Sequence, residues 1–391
     1  MRILILNWRD VRHPRAGGAE YFTHEVAKRL VARGDQVEWF SAAFPGGPAE
    51  EEVDGVRIVR EGRQWTVHWH AFRRYRHQVR SRFDVVIDEV NTIPFFTPLW
   101  VGVPTFMLIY QLAREVWWYE SPFPINGIGY LVEPLYLRFY RRSPVLTLAA
   151  STASDLRRLG FTGPITLLPN GVEAIEGPVP PKIFPPAFVY VGRLAPSKRL
   201  EHIIRAFAAF RQDVAPATLW VIGEGSPSYK KKLEALVHER GISEAVSFLG
   251  RVKTLEKHRR MAQAHALLLA SVREGWGLVV AEANACGTPA VVYDVPGLRD
   301  AVKHEETGLV VSASSSELAA GMRRLWQDKE LYQRLASAAQ SWSATFSFDA
   351  TATALRSELD AHLEPPAHDR HGLLPHGRFS EPESVQGKQG T

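Results

Sequence analysis

The stretch from Ala266 to Val292 admits few folds. An apolar run (266–270) leads into a turn with two glycines, Glu274-Gly275-Trp276-Gly277, then a run of helix formers ending at Cys286-Gly287, then a second apolar run (289–292). That order reads as strand, tight turn, helix, strand, the repeating unit of a parallel sheet covered on both faces. Gly275 and Gly277 let the backbone approach a ligand, and the helix starting near Gly277 aims its unpaired N–H groups and positive dipole end at the same place, so an anion is expected there. Glu274 lies beside that anion, whereas Glu282, more than a turn into the helix, faces the cleft at its far side. The alternative, two surface glutamates acting as dipole partners, does not call for a double glycine. A phosphate flanked by two hydroxyl-bearing rings, as in a nucleotide sugar, suits the pattern.

The same alternation runs through the chain twice. Apolar runs at 2–6, 36–40, 56–59, 84–87, 104–109, 144–149 and 165–168 are spaced widely enough for crossover helices, predicting a doubly wound parallel sheet of about seven strands. After Asn170-Gly171 come Pro178, Pro180, Pro181, Pro185 and Pro186, which suit neither a helix interior nor a central strand and mark a linker. The pattern restarts at 188–191, 218–222, 246–248, 266–269, 289–292 and 309–311. With 391 residues the chain exceeds one compact core. We therefore expect an α/β protein of two Rossmann-like doubly wound parallel-sheet domains, 1–175 and 176–344, facing across a cleft. Beyond them a helix is expected at 345–363 and a disordered tail at 364–391, where apolar residues are sparse.

Composition removes other classes. No apolar run approaches the ~20 residues of a membrane span, and Met1-Arg2 leads straight into a strand-like run, so a cytoplasmic protein is expected. The one cysteine, Cys286, excludes internal disulfides and a cysteine-built metal site. The first strand is not followed closely by GxGxxG, which argues against a nicotinamide enzyme. Its loop instead ends in Gly17-Gly18 before a helical pattern of Phe22, Val26 and Leu30, a second phosphate-sized helix start. The second domain opens with Gly192-Arg193-Leu194-Ala195-Pro196-Ser197-Lys198, where Arg193 offers a fork and Lys198 a point charge that can converge on a diphosphate. Gly223, Gly225 and Gly250 also end strands, as ligand frames or as ordinary turns.

Glu274-Gly275-Trp276-Gly277-Leu278 through Glu282-Ala283-Asn284-Ala285-Cys286-Gly287-Thr288-Pro289-Ala290-Val291 resembles the EGxGLxxxEAxACGxPxV signature of the retaining GT-B glycosyltransferases of family 4. The resemblance runs from Arg2 to about Leu363 and implies a metal-independent hexosyltransferase that needs no cofactor, its UDP-sugar or GDP-sugar being a substrate. It also implies that Glu274 contacts donor-sugar hydroxyls and Glu282 the ribose. Arg193 and Lys198 of GRLxxxK then balance the leaving diphosphate, and the backbone at Arg251 and Val252 reads the base. Gly17, Gly18, Gly192, Gly223, Gly275, Trp276, Gly277, Leu278 and Val279 complete the expected donor site, Leu168-Pro169-Asn170-Gly171-Val172 the hinge, and 345–363 a helix crossing back to the first domain.

The acceptor side is less defined. Many relatives carry histidine where Tyr110 stands; tyrosine can donate a hydrogen bond to a sugar or phosphate but cannot serve as an imidazole base. Glu115, Asp88, Glu89 and Asn91 are further polar candidates, with capping an alternative for Asn91. Residues 64–82 have no acidic residue, five arginines and a stripe of Trp65, Trp69, Phe72 and Val79. They form either a crossover helix whose stripe packs on the sheet, or a basic face against the anionic inner surface of a membrane. No nucleic-acid module accompanies the charge. The expected function is therefore transfer of a sugar from a nucleotide diphosphate to a hydroxyl of a carbohydrate or lipid-linked acceptor, with a sugar-nucleotide binding protein and a nucleotide-sugar epimerase as alternatives.

Overall fold

The computed structural model describes residues 1–79, 82–173, 175 and 179–363. The expected tail at 364–391, Pro178 of the linker and Arg80 lie outside the described residues.

The first sheet contains β1 (Arg2–Leu6), β2 (Gln36–Ser41), β3 (Glu50–Val53), β4 (Val56–Arg60), β5 (Val85–Glu89), β6 (Thr105–Leu108), β7 (Val145–Thr147) and β8 (Ile165–Leu167). Their order is β3-β4-β2-β1-β5-β6-β7-β8. Ile3, Ile5, Val85 and Ile87 are buried, as continuous apolar runs must be when helices cover both faces. One strand departs from the expected parallel set. Strand β3 pairs antiparallel to β4, and its sequence, Glu-Glu-Glu-Val, carries no apolar alternation; at a sheet edge, charges serve to discourage further pairing.

The second sheet contains β9 (Ala187–Val191), β10 (Thr218–Ile222), β11 (Val246–Gly250), β12 (Ala266–Leu269), β13 (Ala290–Tyr293) and β14 (Gly308–Val311). All six pair in parallel, in the order β11-β10-β9-β12-β13-β14. The chain thus steps outward from β9 in one direction and returns to start at β12 in the other. Between such strands the outgoing loops diverge and leave a crevice at their carboxyl ends. Strands β1 and β5 stand in the same relation in the first sheet.

The helix Phe348–Leu363 packs on the first domain's helix Gly18–Ala32. Phe348 is buried, with its ring 5.8 Å from Phe22 and 5.9 Å from Tyr21, and Arg356 binds Asp35 at 2.6 Å. No helix among the described residues is long and apolar enough to cross a membrane.

Candidate active site

The loops leaving β9 and β12 meet at the crevice between those strands. Lys198, in the 3-10 turn Pro196–Lys198 after β9, donates from Nζ to Glu274 Oε1 at 2.5 Å. The Ser271 hydroxyl donates to the same oxygen at 2.6 Å. Glu282, on the helix Leu278–Ala285, pairs with Lys257 Nζ at 2.6 Å. Lys257 comes from the helix Thr254–Gln263 that follows Arg251 and Val252. Each glutamate of the signature therefore holds one lysine, and all four side chains are about four-fifths covered. The sequence reading identified Lys198 and missed Lys257, whose only signal is its position one turn into the helix after the expected base-reading loop.

Gly275 is required by the opposite domain: a Cβ there would lie 2.9 Å from Tyr110 Cβ. Gly223 is required by its own domain, since a Cβ would fall 1.9 Å from the Gly192 carbonyl oxygen. Internal packing is thus sufficient reason for the glycines that end β9 and β10. Trp276 has its ring turned inward, buried 6.1 Å from Trp342 and 5.3 Å from Phe346, so only its backbone faces the crevice. The helix Leu278–Ala285 has no acidic residue in its first turn, leaving the positive end of its dipole without an internal counter-charge.

The first domain's glycine pair behaves differently. Gly17 N–H donates to the Oε2 of Glu20 at 2.7 Å, so the chain's own carboxylate occupies the start of the helix Gly18–Ala32. Glu20 thus caps the helix start that the sequence reads as a second phosphate-sized site. Gly18 still faces the cleft, with its Cβ position 3.8 Å from Leu278 Cδ1. Arg9 pairs with Glu20 at 2.7 Å. Burial lowers the Arg9 pKa; Glu20 opposes this, and the facing charge of Arg193 lowers it further. Arg193 and Arg251 are exposed, and neither forms an ion pair among the described residues.

Tyr110 is buried with its hydroxyl inside the first domain, 2.6 Å from Thr23 Oγ1 and donating to the Ala19 carbonyl at 3.2 Å. It cannot offer that hydroxyl to a sugar as placed here, and burial, then the neighbouring Glu89, push its pKa well above the usual tyrosine value. Glu89 is itself buried, accepts from Thr23 Oγ1 at 2.9 Å, and has its pKa raised well above the carboxylate range, first by burial and then by Glu20. Asp88 accepts from Thr97 Oγ1 at 2.9 Å and from Tyr140, and Asn91 donates to Glu20 at 2.9 Å. Asp88 and Glu89 are thus buried within the first domain, and the Tyr110 hydroxyl and the Asn91 amide are hydrogen-bonded to its own groups.

Glu115 is drawn across the cleft to Arg273 Nε at 3.0 Å, and Arg273 also binds Asp155 at 2.7 Å. Arg273, adjacent to Glu274, is a cross-domain clamp that the sequence reading did not single out. Asp300 adds a second tie, accepting from Ser151 N–H at 2.9 Å, while Glu274 N–H donates to the Pro296 carbonyl at 3.1 Å. The 294–300 loop thus fixes the Glu274 turn against the first domain.

Residues 180–342 match the Glycosyl transferases group 1 family and residues 16–175 match Glycosyltransferase Family 4. The chain is similar to a glycogen synthase of Mycobacterium tuberculosis, 28% identical over 394 residues that cover 90% of this chain and 93% of that one. It is also similar to a GDP-mannose-dependent alpha-(1-6)-phosphatidylinositol monomannoside mannosyltransferase of the same organism, 30% identical over 379 residues covering 88% and 95%. The solved sucrose-phosphate synthase from Thermosynechococcus elongatus shares the fold, with a TM-score of 0.77 at 22% identity over 92% of this chain and 98% of that one. The crevice between two parallel-sheet domains, the signature glutamates and these relatives agree: the chain belongs to the GT-B glycosyltransferases of family 4.

Proposed function

We propose that this glycosyltransferase moves a sugar from a UDP-sugar or GDP-sugar to a hydroxyl acceptor with retention of anomeric configuration and without a metal ion. The observation that carries the reading is the Lys198–Glu274 pair at the diverging ends of β9 and β12, beside a helix start free of acidic residues. An incoming diphosphate replaces Glu274 as the partner of Lys198. The released carboxylate then accepts hydrogen bonds from sugar hydroxyls, a partner exchange that keeps every charged group paired. Glu282, steered by Lys257, meets the ribose in the same way, and the backbone at Arg251 and Val252 meets the base.

In this reading retention proceeds without a covalent glycosyl-enzyme intermediate. Glu274 is held by Ser271 and taken up by the sugar hydroxyls, and Glu89 is buried inside the first domain, so this reading gives neither the role of a covalent nucleophile. The leaving diphosphate oxygen takes the proton of the acceptor hydroxyl as that hydroxyl attacks from the same face. Lys198 and Arg193 stabilise the charge that grows on the diphosphate, a term that acts on the transition state.

The acceptor is a carbohydrate or lipid-linked glycan entering from the first domain. The mannosyltransferase relative, whose name specifies a phosphatidylinositol-borne acceptor, favours the lipid-linked form and peripheral attachment to an anionic membrane face. Within 64–82 that contact rests on Arg73, Arg76 and the exposed Trp65 and Trp69; Arg74 is buried and bound to Glu38 and Glu61. Incubation with UDP-sugars and GDP-sugars, with and without candidate acceptors, tests the reading by nuclear magnetic resonance of the product anomer. An inverted anomer, activity that requires a divalent cation, or conversion of the donor alone to its epimer contradicts it.

A further inference from the structure

Among the described residues, sixteen large apolar side chains are exposed, and twelve of them lie between Trp65 and Phe139. The densest group is on the helix Ile125–Tyr136 and the turn after it. Ile125, Ile128, Leu131, Leu135 and Phe139 recur at helical spacing and are 49%, 57%, 70%, 50% and 50% exposed. The inward positions are Gly129, buried against the Trp117 ring, and Glu133, which accepts from the N–H groups of Ala113 and Arg114 at 2.5 and 2.7 Å. This helix is inverted: a surface helix ordinarily turns its apolar stripe to the core, and here the carboxylate points in and the stripe points out.

Charge narrows what can cover it. From Ser121 to Arg142 the only acidic residue is the buried Glu133, while Arg138 and Arg142 are exposed beside the stripe. A second copy paired about a two-fold axis would set this acid-free, basic rim against itself with no carboxylate to meet it. An anionic lipid surface supplies both an apolar layer for the side chains and negative headgroups for the arginines. Position then links the face to the chemistry. Tyr119, just before the helix, accepts from Arg199 at 2.8 Å, and Glu120 accepts from the Ser197 hydroxyl, so the face borders the cleft mouth within two residues of Lys198. On its other side Phe96 packs 5.8 Å from Phe139, and Trp100 packs 5.8 Å from Phe72 of the Trp69 helix.

We propose that the outward stripe of the Ile125–Tyr136 helix inserts into the headgroup–acyl boundary of an anionic membrane, placing the cleft mouth at the lipid surface. The inference rests on the glycosyltransferase reading above and assigns its acceptor to a lipid carrier. It differs from a purely electrostatic contact through 64–82 because apolar insertion survives salt that screens the arginines.

Flotation with phosphatidylcholine vesicles, with and without phosphatidylglycerol, tests it. The parent protein is expected to float with the mixed vesicles and to remain partly bound in high salt. The double variant Ile128→Glu/Leu131→Glu is expected to show a partition coefficient roughly a hundredfold lower with an unchanged melting temperature; Ile128→Ser/Leu131→Ser serves if the glutamates disturb folding. A parent protein that stays with the dense fraction, variants that float equally well, or a concentration-dependent dimer that the variants dissociate in the absence of vesicles overturns the proposal. Calorimetry with UDP and GDP on the same proteins keeps the donor reading separate: a parent protein that binds nucleotide but does not float refutes only the membrane face, and a parent protein that floats but binds no nucleotide refutes only the donor site.

Discussion

A helix begins after closely spaced glycines at Gly17-Gly18 and again at Gly275–Gly277, and the two starts face each other across the cleft, with Gly18 against Leu278. In the first domain the third residue in is Glu20, which caps its own helix through Gly17 N–H and neutralises Arg9. In the second domain the first turn is Leu278-Val279-Val280-Ala281, and the nearest signature carboxylate, Glu274, is tied to Lys198. One helix end is filled by the chain's own carboxylate; the other has no acidic side chain in its first turn. Glycines before a helix permit an anion site, and the acids of the first turn decide whether it stays open.

The variants that bear on this contrast are ordered by expected effect. Glu274→Gln should lower kcat by about a thousandfold, the scale of losing a transition-state hydrogen-bond partner, while the nucleotide Kd changes little; parental turnover would move the sugar contact elsewhere. Glu20→Ala should cost about 3 kcal/mol of stability, because it strands Arg9 and removes a cap, with nucleotide affinity preserved. Chemical denaturation and calorimetry on that variant decide whether the first domain's helix start is structural. Glu282→Ala should weaken UDP or GDP binding by about 1.5 to 3 kcal/mol by calorimetry; unchanged affinity would remove Glu282 from the ribose end.

The smallest effect concerns Glu89. Its folded pKa is raised above the unfolded value of 4.5, so its contribution to stability is complete below that value and is lost as pH rises through the folded pKa. At most about 1.4 kcal/mol per pH unit is expected from one proton. In Glu89→Gln that loss should be absent, so the melting temperature of the variant should gain on the parent as pH increases from about 5 to about 6. Parallel melting curves would mean that Glu89 is ionised in the folded protein.

Much of the fold was legible because parallel strands write themselves as uninterrupted apolar runs, as in 188–190 and 266–269, where the residues are buried on both faces. The signature glutamates stood out through the glycines around Glu274 and through the resemblance of the whole stretch to the family motif. Where partners came from distant sequence, reading failed. The stripe Trp65, Trp69, Phe72 and Val79 was one candidate for core, yet the helix Val67–Arg74 buries Val67 and Ala71, and Trp65 and Trp69 are 73% and 62% exposed. Glu38 and Glu61 draw Arg74 inward and set the helix phase, and neither is visible from the local pattern. Arg273 and Lys257 escaped for the same reason: their meaning lies in Glu115, Asp155 and Glu282, contacts that only the folded chain brings together. Glu20 is the instructive exception, since a glutamate at the third helical position is a cap signal present in the sequence itself.

The most direct test of the contrast between the two helix starts is a calorimetric titration of UDP and GDP into the parent protein, Lys198→Ala and Glu20→Ala under one buffer. The expected result is that Lys198→Ala weakens binding of the preferred nucleotide roughly tenfold or more, the loss of one charge-assisted contact, while Glu20→Ala leaves it unchanged. Nucleotide binding that survives Lys198→Ala and improves when Glu20 is removed would place the anion at the first domain's helix start and contradict the assignment.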